Sequence, residues 1–166
     1  MIRVRTGDIK IGVEEKSSLL AVIDSGRFTE DKKVKEFELL WSKYIGTKYC
    51  ISVNSGTSAL ISGLYALLYD ERFEKIKRGS KIITSPVTYI ATTNAIVHAG
   101  FEPVYVDINP YTFEINTEQV EDLLKKGNPD EYSVILPVHL IGYPNDMDAI
   151  NYLANILLFD RSLLLD

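Results

Sequence analysis

Cysteine and histidine are scarce in this sequence of 166 residues, which has one cysteine and two histidines. A single cysteine excludes an internal disulfide framework and every metal site built from several cysteines. Cys50 lies in the apolar run from Tyr49 to Val53, where a buried structural thiol is favoured over a nucleophile. We therefore expect no metal site.

Clusters of basic residues and long apolar runs are also missing. The net charge is −5 at pH 7, and binding to nucleic acid is disfavoured because phosphate neutralisation needs clustered lysine and arginine. No apolar run approaches the length of a membrane span, and the start of the chain has no signal-peptide core. We expect a cytoplasmic globular protein with neither a nucleic-acid partner nor a membrane partner.

The apolar pattern first predicts two helices and then an alternation of strands and helices. The first helix runs from Val13 to Ser25, and the second begins near Thr29 and ends at Gly46. Apolar strands separated by amphipathic helices predict a three-layer α/β/α fold with a mostly parallel sheet, preceded by two N-terminal helices. Strands are predicted at 49–53, 81–84, 103–106, 132–138 and 156–159, and further helices at 58–69, 90–99, 117–126 and 146–154.

A glycine and two hydroxyl residues, Gly56, Thr57 and Ser58, lie where the first predicted strand gives way to a helix. Free N–H groups and the helix dipole at such a position favour a phosphate. The segment lacks the lysine of a Walker A loop and the spacing of a dinucleotide-binding loop or a nucleophile elbow. On spacing alone, an N-cap without a ligand is an equal alternative.

Three more candidates follow later predicted strands, at the carboxyl edge where ligands of parallel sheets bind. Tyr89 follows the second strand and could stack on a flat ring, although a core or rim tyrosine is the simpler interpretation. His139 follows the fourth strand as a candidate site residue. Asp160 ends the fifth strand, where its carboxylate could face a ligand cation.

Short motifs spread over most of the chain share their order with one enzyme family. They lie at 34–38, 54–60, 79–83, 88–92, 103–107, 137–142 and 146–150. In this order they resemble the DegT/DnrJ/StrS group of pyridoxal-phosphate (PLP) sugar-nucleotide aminotransferases, which have PLP fold type I. Each motif alone is weak evidence, and the resemblance rests on all of them occurring in the order of the family.

The resemblance implies pyridoxal 5'-phosphate as cofactor, with its phosphate on residues 56–58 and its ring against Tyr89. It places His139 near the cofactor and makes Asp160 the candidate partner of the pyridine nitrogen. It also implies a keto sugar nucleotide as substrate and an amino acid as donor, in deoxyamino-sugar or cell-surface polysaccharide biosynthesis. Members of the family are dimers with shared sites, so we expect a homodimer or a larger oligomer.

The sequence departs from the family near its end. Only Asn155 separates Ala154 from the next apolar run, which is too short for a reversal from helix to strand, and Phe159 stands where the family has glutamate. The family's Schiff-base lysine lies past the fifth strand, and no lysine follows Lys126.

We therefore expect the chain to be the N-terminal part of the PLP-binding large domain. A helical arm would cover about 1–47 and an α/β portion about 48–166, without the small domain and without a catalytic residue. Such a chain is expected to be inactive alone. The alternatives are a related PLP-dependent deoxysugar dehydratase, in which histidine replaces the lysine, and a non-catalytic fragment that keeps a phosphate site. An NAD-binding domain is disfavoured because the dinucleotide glycine pattern is missing.

Overall fold

A computed structural model of the chain describes residues 10–158, which contain six α-helices and a three-stranded sheet. The chain divides into two units, Met1–Ser52 and Val53–Asp166. Two helices belong to the first unit, and the remaining helices and the sheet belong to the second. In chain order the elements are α1 (Val13–Ser25), α2 (Lys32–Ile45), α3 (Gly56–Tyr69), β1 (Lys81–Thr84), α4 (Ala91–His98), β2 (Glu102–Tyr105), α5 (Thr117–Lys126), β3 (Tyr132–Ile135) and α6 (Met147–Leu158).

Both helices of the first unit end at a glycine in the left-handed conformation. Gly26 has φ of 66° and Gly46 has φ of 76°, as the sequence pattern predicted for these C-caps. The start of α2 differs from the prediction, since the N-cap is Asp31 and not Thr29. Two residues more than expected therefore join α1 to α2.

The predicted first strand at 49–53 is wrong. Tyr49 and Ile51 are 76% and 83% exposed, and no strand pairs with this segment within the described residues. The Ser52 N–H and hydroxyl instead donate to Glu38 Oε1, at 2.8 and 3.0 Å. An apolar run forms a strand only where a neighbouring strand accepts and donates its backbone hydrogen bonds. Cys50, predicted to be buried, is half-buried with a free thiol.

The sheet is parallel, in the order β2-β1-β3. Its central strand, β1, has the predicted bounds. β3 ends at Ile135, although the sequence predicted that it continues to Val138. Pairing with β1 extends one residue further, since the N–H of Leu136 donates to the carbonyl of Ile83. Pro137 follows on an edge strand, where a residue without an N–H is tolerated.

Two apolar clusters lie on opposite faces of the sheet and give the second unit its three layers. Ile82 and Ile83 are adjacent in β1 and fully buried, and their side chains alternate between the two faces. The Ile82 cluster contains Leu64, Ile76, Ala95, Ile96, Ala99 and Phe101, largely from α3 and α4. The Ile83 cluster contains Val106, Ile115, Val120, Leu124, Ile150, Leu153 and Ile156, largely from α5 and α6. The predicted fold class is confirmed.

The predicted fifth strand is wrong for residues 156–158, because α6 continues through them to Leu158. Ile150, Leu153 and Ile156 are all buried against the sheet, at the spacing of three that brings residues to one side of a helix. The chain therefore makes no reversal near Ala154, where the sequence has too few residues for one. Phe159 and Asp160 lie outside the described residues.

Candidate functional site

The first turn of α3 presents two backbone N–H groups that have no acceptor within residues 10–158. They belong to Gly56 and Thr57, both exposed. The next two N–H groups are satisfied by Ser55, whose hydroxyl accepts from Ser58 N–H at 3.1 Å and whose carbonyl accepts from Ala59 N–H at 3.0 Å. The N-cap thus orders the turn and leaves its first two donors, at the positive end of the helix dipole, for an external acceptor.

The Ser58 hydroxyl, unlike the Thr57 hydroxyl, already has hydrogen-bond partners within the described residues. It donates to Asn54 Oδ1 at 2.6 Å and lies 3.0 Å from the Ser55 hydroxyl oxygen. These bonds fix the segment that enters α3. The structure therefore gives Ser58 a part in shaping the turn, and its predicted contact with phosphate stays a prediction.

Tyr89 lies between the end of β1 and the start of α4, as predicted. Its side chain is 76% exposed, while its carbonyl accepts from Thr92 N–H at 3.0 Å and so joins the turn to α4. The hydroxyl oxygens of Thr88 and Thr92 lie 2.9 Å apart across the same turn. The backbone around Tyr89 is thereby held, and the ring itself stays open to a ligand.

One cavity of ≈ 810 Å³ connects these features. Gly56 and Thr57 line it together with Tyr89, so three of the predicted site residues meet at one space. The volume falls within the range of small-molecule and cofactor sites, about 300–1,000 Å³. Apolar side chains form most of the remaining wall, with contributions from Ala59, Leu60, Gly63, Leu64, Leu67, Ala91, Thr92, Val134 and Leu136.

His139 does not line this cavity. It is exposed at the carboxyl side of β3, where its Nδ1 lies 3.1 Å from both the backbone nitrogen and the side-chain nitrogen of Asn145. Asn145 is 4% exposed and was not a sequence candidate. The sequence gives no signal for it, because one of its partners, Ile115, lies 30 residues earlier in the chain.

Lys81 is the only lysine within the strands of the described residues, and it begins β1 at the amino edge of the sheet. Its ammonium group forms an ion pair with Glu131, and this hydrogen-bonded pair raises the pKa of Lys81. A lysine that reacts as an amine needs a lowered pKa and a place at the ligand edge. Lys81 has neither.

Asp160, the predicted partner of a ring nitrogen, lies outside the described residues. Within residues 10–158 no group of three or more histidine, cysteine, aspartate or glutamate side chains could hold a metal ion. No helix in that part of the chain has the length and hydropathy needed to cross a bilayer.

Comparison with known proteins assigns this arrangement to a family. Residues 9–157 match the model of the DegT/DnrJ/EryC1/StrS aminotransferase family. The chain belongs to this family. The match covers both the helix that opens at Gly56 and the turn that carries Tyr89, so the resemblance seen in the sequence motifs is confirmed.

Two curated relatives match most of this chain. An uncharacterized protein of Methanocaldococcus jannaschii is 38% identical over 144 residues, which are 87% of this chain and 34% of the relative. The 3-oxo-glucose-6-phosphate:glutamate aminotransferase of Bacillus subtilis is 35% identical over 139 residues, 84% of this chain and 29% of the enzyme. The chain spans about a third of the length of the curated relatives it matches.

A solved structure shares the fold. The GDP-4-keto-6-deoxy-D-mannose-3-dehydratase of E. coli, solved with bound hydrated PLP, superposes with a TM-score of 0.83 at 29% identity. The match covers 96% of this chain and 39% of the dehydratase. Proteins similar to this chain thus include a dehydratase as well as an aminotransferase.

Proposed function

We propose that the second unit holds the phosphate and one ring face of pyridoxal 5'-phosphate in a PLP-dependent enzyme of sugar metabolism. One observation carries this proposal. The two N–H groups without acceptors at Gly56 and Thr57 line the same cavity as the exposed ring of Tyr89. Hydrogen-bond donors for an anion and an aromatic ring for stacking therefore border the same cavity.

The residues at the turn fit a phosphate group. Two N–H donors and the α3 dipole favour an anion, and hydrogen bonds to a charged acceptor contribute about 1.5–3 kcal/mol each. A Cβ added at Gly56 would meet no atom within 4 Å, so the space beside the first donor is open. The exposed Thr57 hydroxyl, which has no partner among the described residues, supplies a further donor.

The rest of the cavity suits a flat ring with an apolar surround. When bound, PLP supplies an electron sink for carbanion chemistry at the substrate carbon. This chain's residues bind and orient it: the α3 turn holds the phosphate, Tyr89 covers a ring face, and the leucines keep water away. We propose Asp160 as the carboxylate for the ring nitrogen and His139 as a residue near the site.

For the reaction, we propose amino transfer from an amino acid to a keto sugar nucleotide, in deoxyamino-sugar or cell-surface polysaccharide biosynthesis. Support comes from the Bacillus subtilis relative, whose name specifies a keto sugar phosphate and glutamate. The second candidate is dehydration of a deoxysugar nucleotide, which the similarity to the E. coli dehydratase favours.

The cofactor proposal predicts that pyridoxamine 5'-phosphate binds the purified chain more tightly than pyridoxamine does. Neither probe has an aldehyde, so neither reacts with the lysines of the chain. Tyr89→Ala should weaken binding of the phosphorylated probe by about 0.5–1.5 kcal/mol, the contribution of one aromatic contact. Isothermal titration with both probes measures the two effects.

Tyr89→Phe is the matched control, because it keeps the ring and removes only the hydroxyl. It should bind as the wild-type chain does. Equal affinity for the two probes would contradict the phosphate site, and unchanged affinity in Tyr89→Ala would remove the tyrosine from the ring site.

We also propose that the protein is a homodimer or larger oligomer. The first unit supports this, because no residue of α1 is buried and Leu19, Leu20 and Ile23 are each more than half exposed. Exposed apolar patches of this kind mark association surfaces. Sedimentation equilibrium should give a mass of at least twice 18.7 kDa, and Leu20→Lys with Ile23→Lys should lower it. A monomer across the micromolar range would contradict the proposal.

A further inference from the structure

Asn145 connects three segments at the carboxyl side of the sheet. Its side-chain oxygen accepts from Ile115 N–H at 2.7 Å, in the loop between β2 and α5. Its side-chain nitrogen donates to the carbonyl of Val138 at 2.8 Å and lies 3.1 Å from His139 Nδ1. Asn145 is 4% exposed, so its side-chain amide is buried, and both the oxygen and the nitrogen have hydrogen-bond partners.

The hydrogen bonds fix which way the amide faces. Only the oxygen of Asn145 can accept from Ile115 N–H, and only the nitrogen can donate to the Val138 carbonyl. The second hydrogen of the amide nitrogen is then the group that faces His139 Nδ1. The orientation thus follows from two backbone partners and does not depend on an assumption about the histidine.

The backbone N–H of Asn145 also needs a hydrogen-bond acceptor on the His139 ring. Asn145 N–H, which can only donate, points at His139 Nδ1 from 3.1 Å. Two donors from one residue therefore face this nitrogen, and it must carry a lone pair and not a proton. In a neutral ring the proton then sits on Nε2, which has no hydrogen-bond partner within residues 10–158.

A strained turn returns the chain to His139 within six residues. Ile141 has φ of 56° and Gly142 has φ of 81°, and Gly142 N–H donates to the His139 carbonyl at 3.0 Å. A β-branched residue adopts this left-handed conformation only where its surroundings require it. The turn aligns the Asn145 N–H with the ring.

We infer that Asn145 is a positioning residue that holds the neutral ring of His139 as the Nε2–H tautomer. His139 is thereby a hydrogen-bond donor at the carboxyl side of β3. The ligand atom that it can take is an acceptor, such as a phosphoryl, carboxylate or carbonyl oxygen. This goes beyond the proposed cofactor contacts, because neither residue lines the cavity beside Gly56.

The tautomer is measured directly with the 15N-labelled chain by long-range 1H–15N correlation, at about pH 9, where a histidine in water is neutral. The chain has two histidines, and His98→Gln assigns their signals. We expect one tautomer for His139, with the proton on Nε2, while the exposed His98 averages between both forms. A His139 ring that averages as His98 does, or that carries its proton on Nδ1, overturns the inference.

Asn145→Asp is the matched variant, since it has the same shape and keeps the acceptor for Ile115 N–H. It places an oxygen where the side-chain donor faced Nδ1 and leaves the backbone N–H of residue 145 in place, so the Nδ1–H population of His139 should rise above that of the wild-type chain. An unchanged tautomer would mean that the backbone N–H alone orients the ring, and that result overturns the positioning role of the Asn145 side chain. The amide signals of Ile83 and Leu136 report whether the variant keeps its sheet. If the sheet is lost, the tautomer of His139 in the wild-type chain tests the inference by itself.

Discussion

Ile83→Ala is expected to lower the free energy of unfolding by about 2–5 kcal/mol, which is the cost of removing a large buried aliphatic side chain. Ile83 is 0% exposed in the central strand and belongs to the cluster that joins the sheet to α5 and α6. The alanine would leave a cavity that this close packing fills only in part. Urea unfolding followed by circular dichroism measures the change.

Two further isoleucines make the experiment specific. Ile90→Ala deletes the same atoms from a side chain that is 65% exposed, and should change the free energy by no more than about 0.5 kcal/mol. Ile82→Ala removes a side chain from the opposite cluster and should cost as much as Ile83→Ala. If only one of these two substitutions lowers the free energy of unfolding, the sheet is covered on one face only and the three-layer description is wrong.

The elements predicted with correct bounds are those whose ends carry a local chemical signal. α1 ends before a glycine that adopts the left-handed conformation, and α5 has Asn116 accepting from Gln119 N–H at its start and two lysines in its last turn. Such caps act within a few residues, so a single sequence reveals them. β1 was also predicted correctly, from an apolar run between Ser80 and a proline-containing turn.

The two wrong strands share a physical cause. An apolar run indicates burial but does not distinguish a strand from a buried helix, and a strand also needs a partner. For Ile156, the helical spacing from Ile150 and Leu153 was present in the sequence, yet the apolar run at 156–159 was interpreted as the next strand in the alternation of strands and helices. For residues 49–53, the missing information was which strand would pair with them.

The candidate site was predictable where it depends on local order and not where it depends on tertiary contact. Gly56, Thr57 and Tyr89 follow sequence motifs, and the structure brings all three to one cavity. Asn145 could not be found in this way. Its side chain links Ile115, 30 residues earlier, to Val138, and the sequence does not show that these two segments meet.

Gly56→Ala is expected to weaken binding of pyridoxamine 5'-phosphate by about 1.5–3 kcal/mol, roughly 10- to 150-fold, which is the contribution of one hydrogen bond to a charged group. The added methyl occupies open space beside the first free N–H and keeps the phosphate from approaching it. The fold should tolerate the change, since no other atom lies within 4 Å of the new Cβ and alanine favours a helix. Titration calorimetry measures the affinity, and urea unfolding checks the stability.

Gly63→Ala is the control that separates the phosphate site from the cavity as a whole. Gly63 lines the same cavity about two turns further along α3, and a Cβ there also meets nothing within 4 Å. This variant should be more stable by about 0.5–1 kcal/mol, because alanine replaces glycine inside a helix, and inorganic phosphate should bind it as it binds the wild-type chain. The two glycines differ only in what surrounds them, since Gly56 carries a donor without a partner and Gly63 lies within the helical ladder. If both alanines weaken phosphate binding equally, the cavity acts through its shape and the N–H groups of the α3 turn are not the anion site.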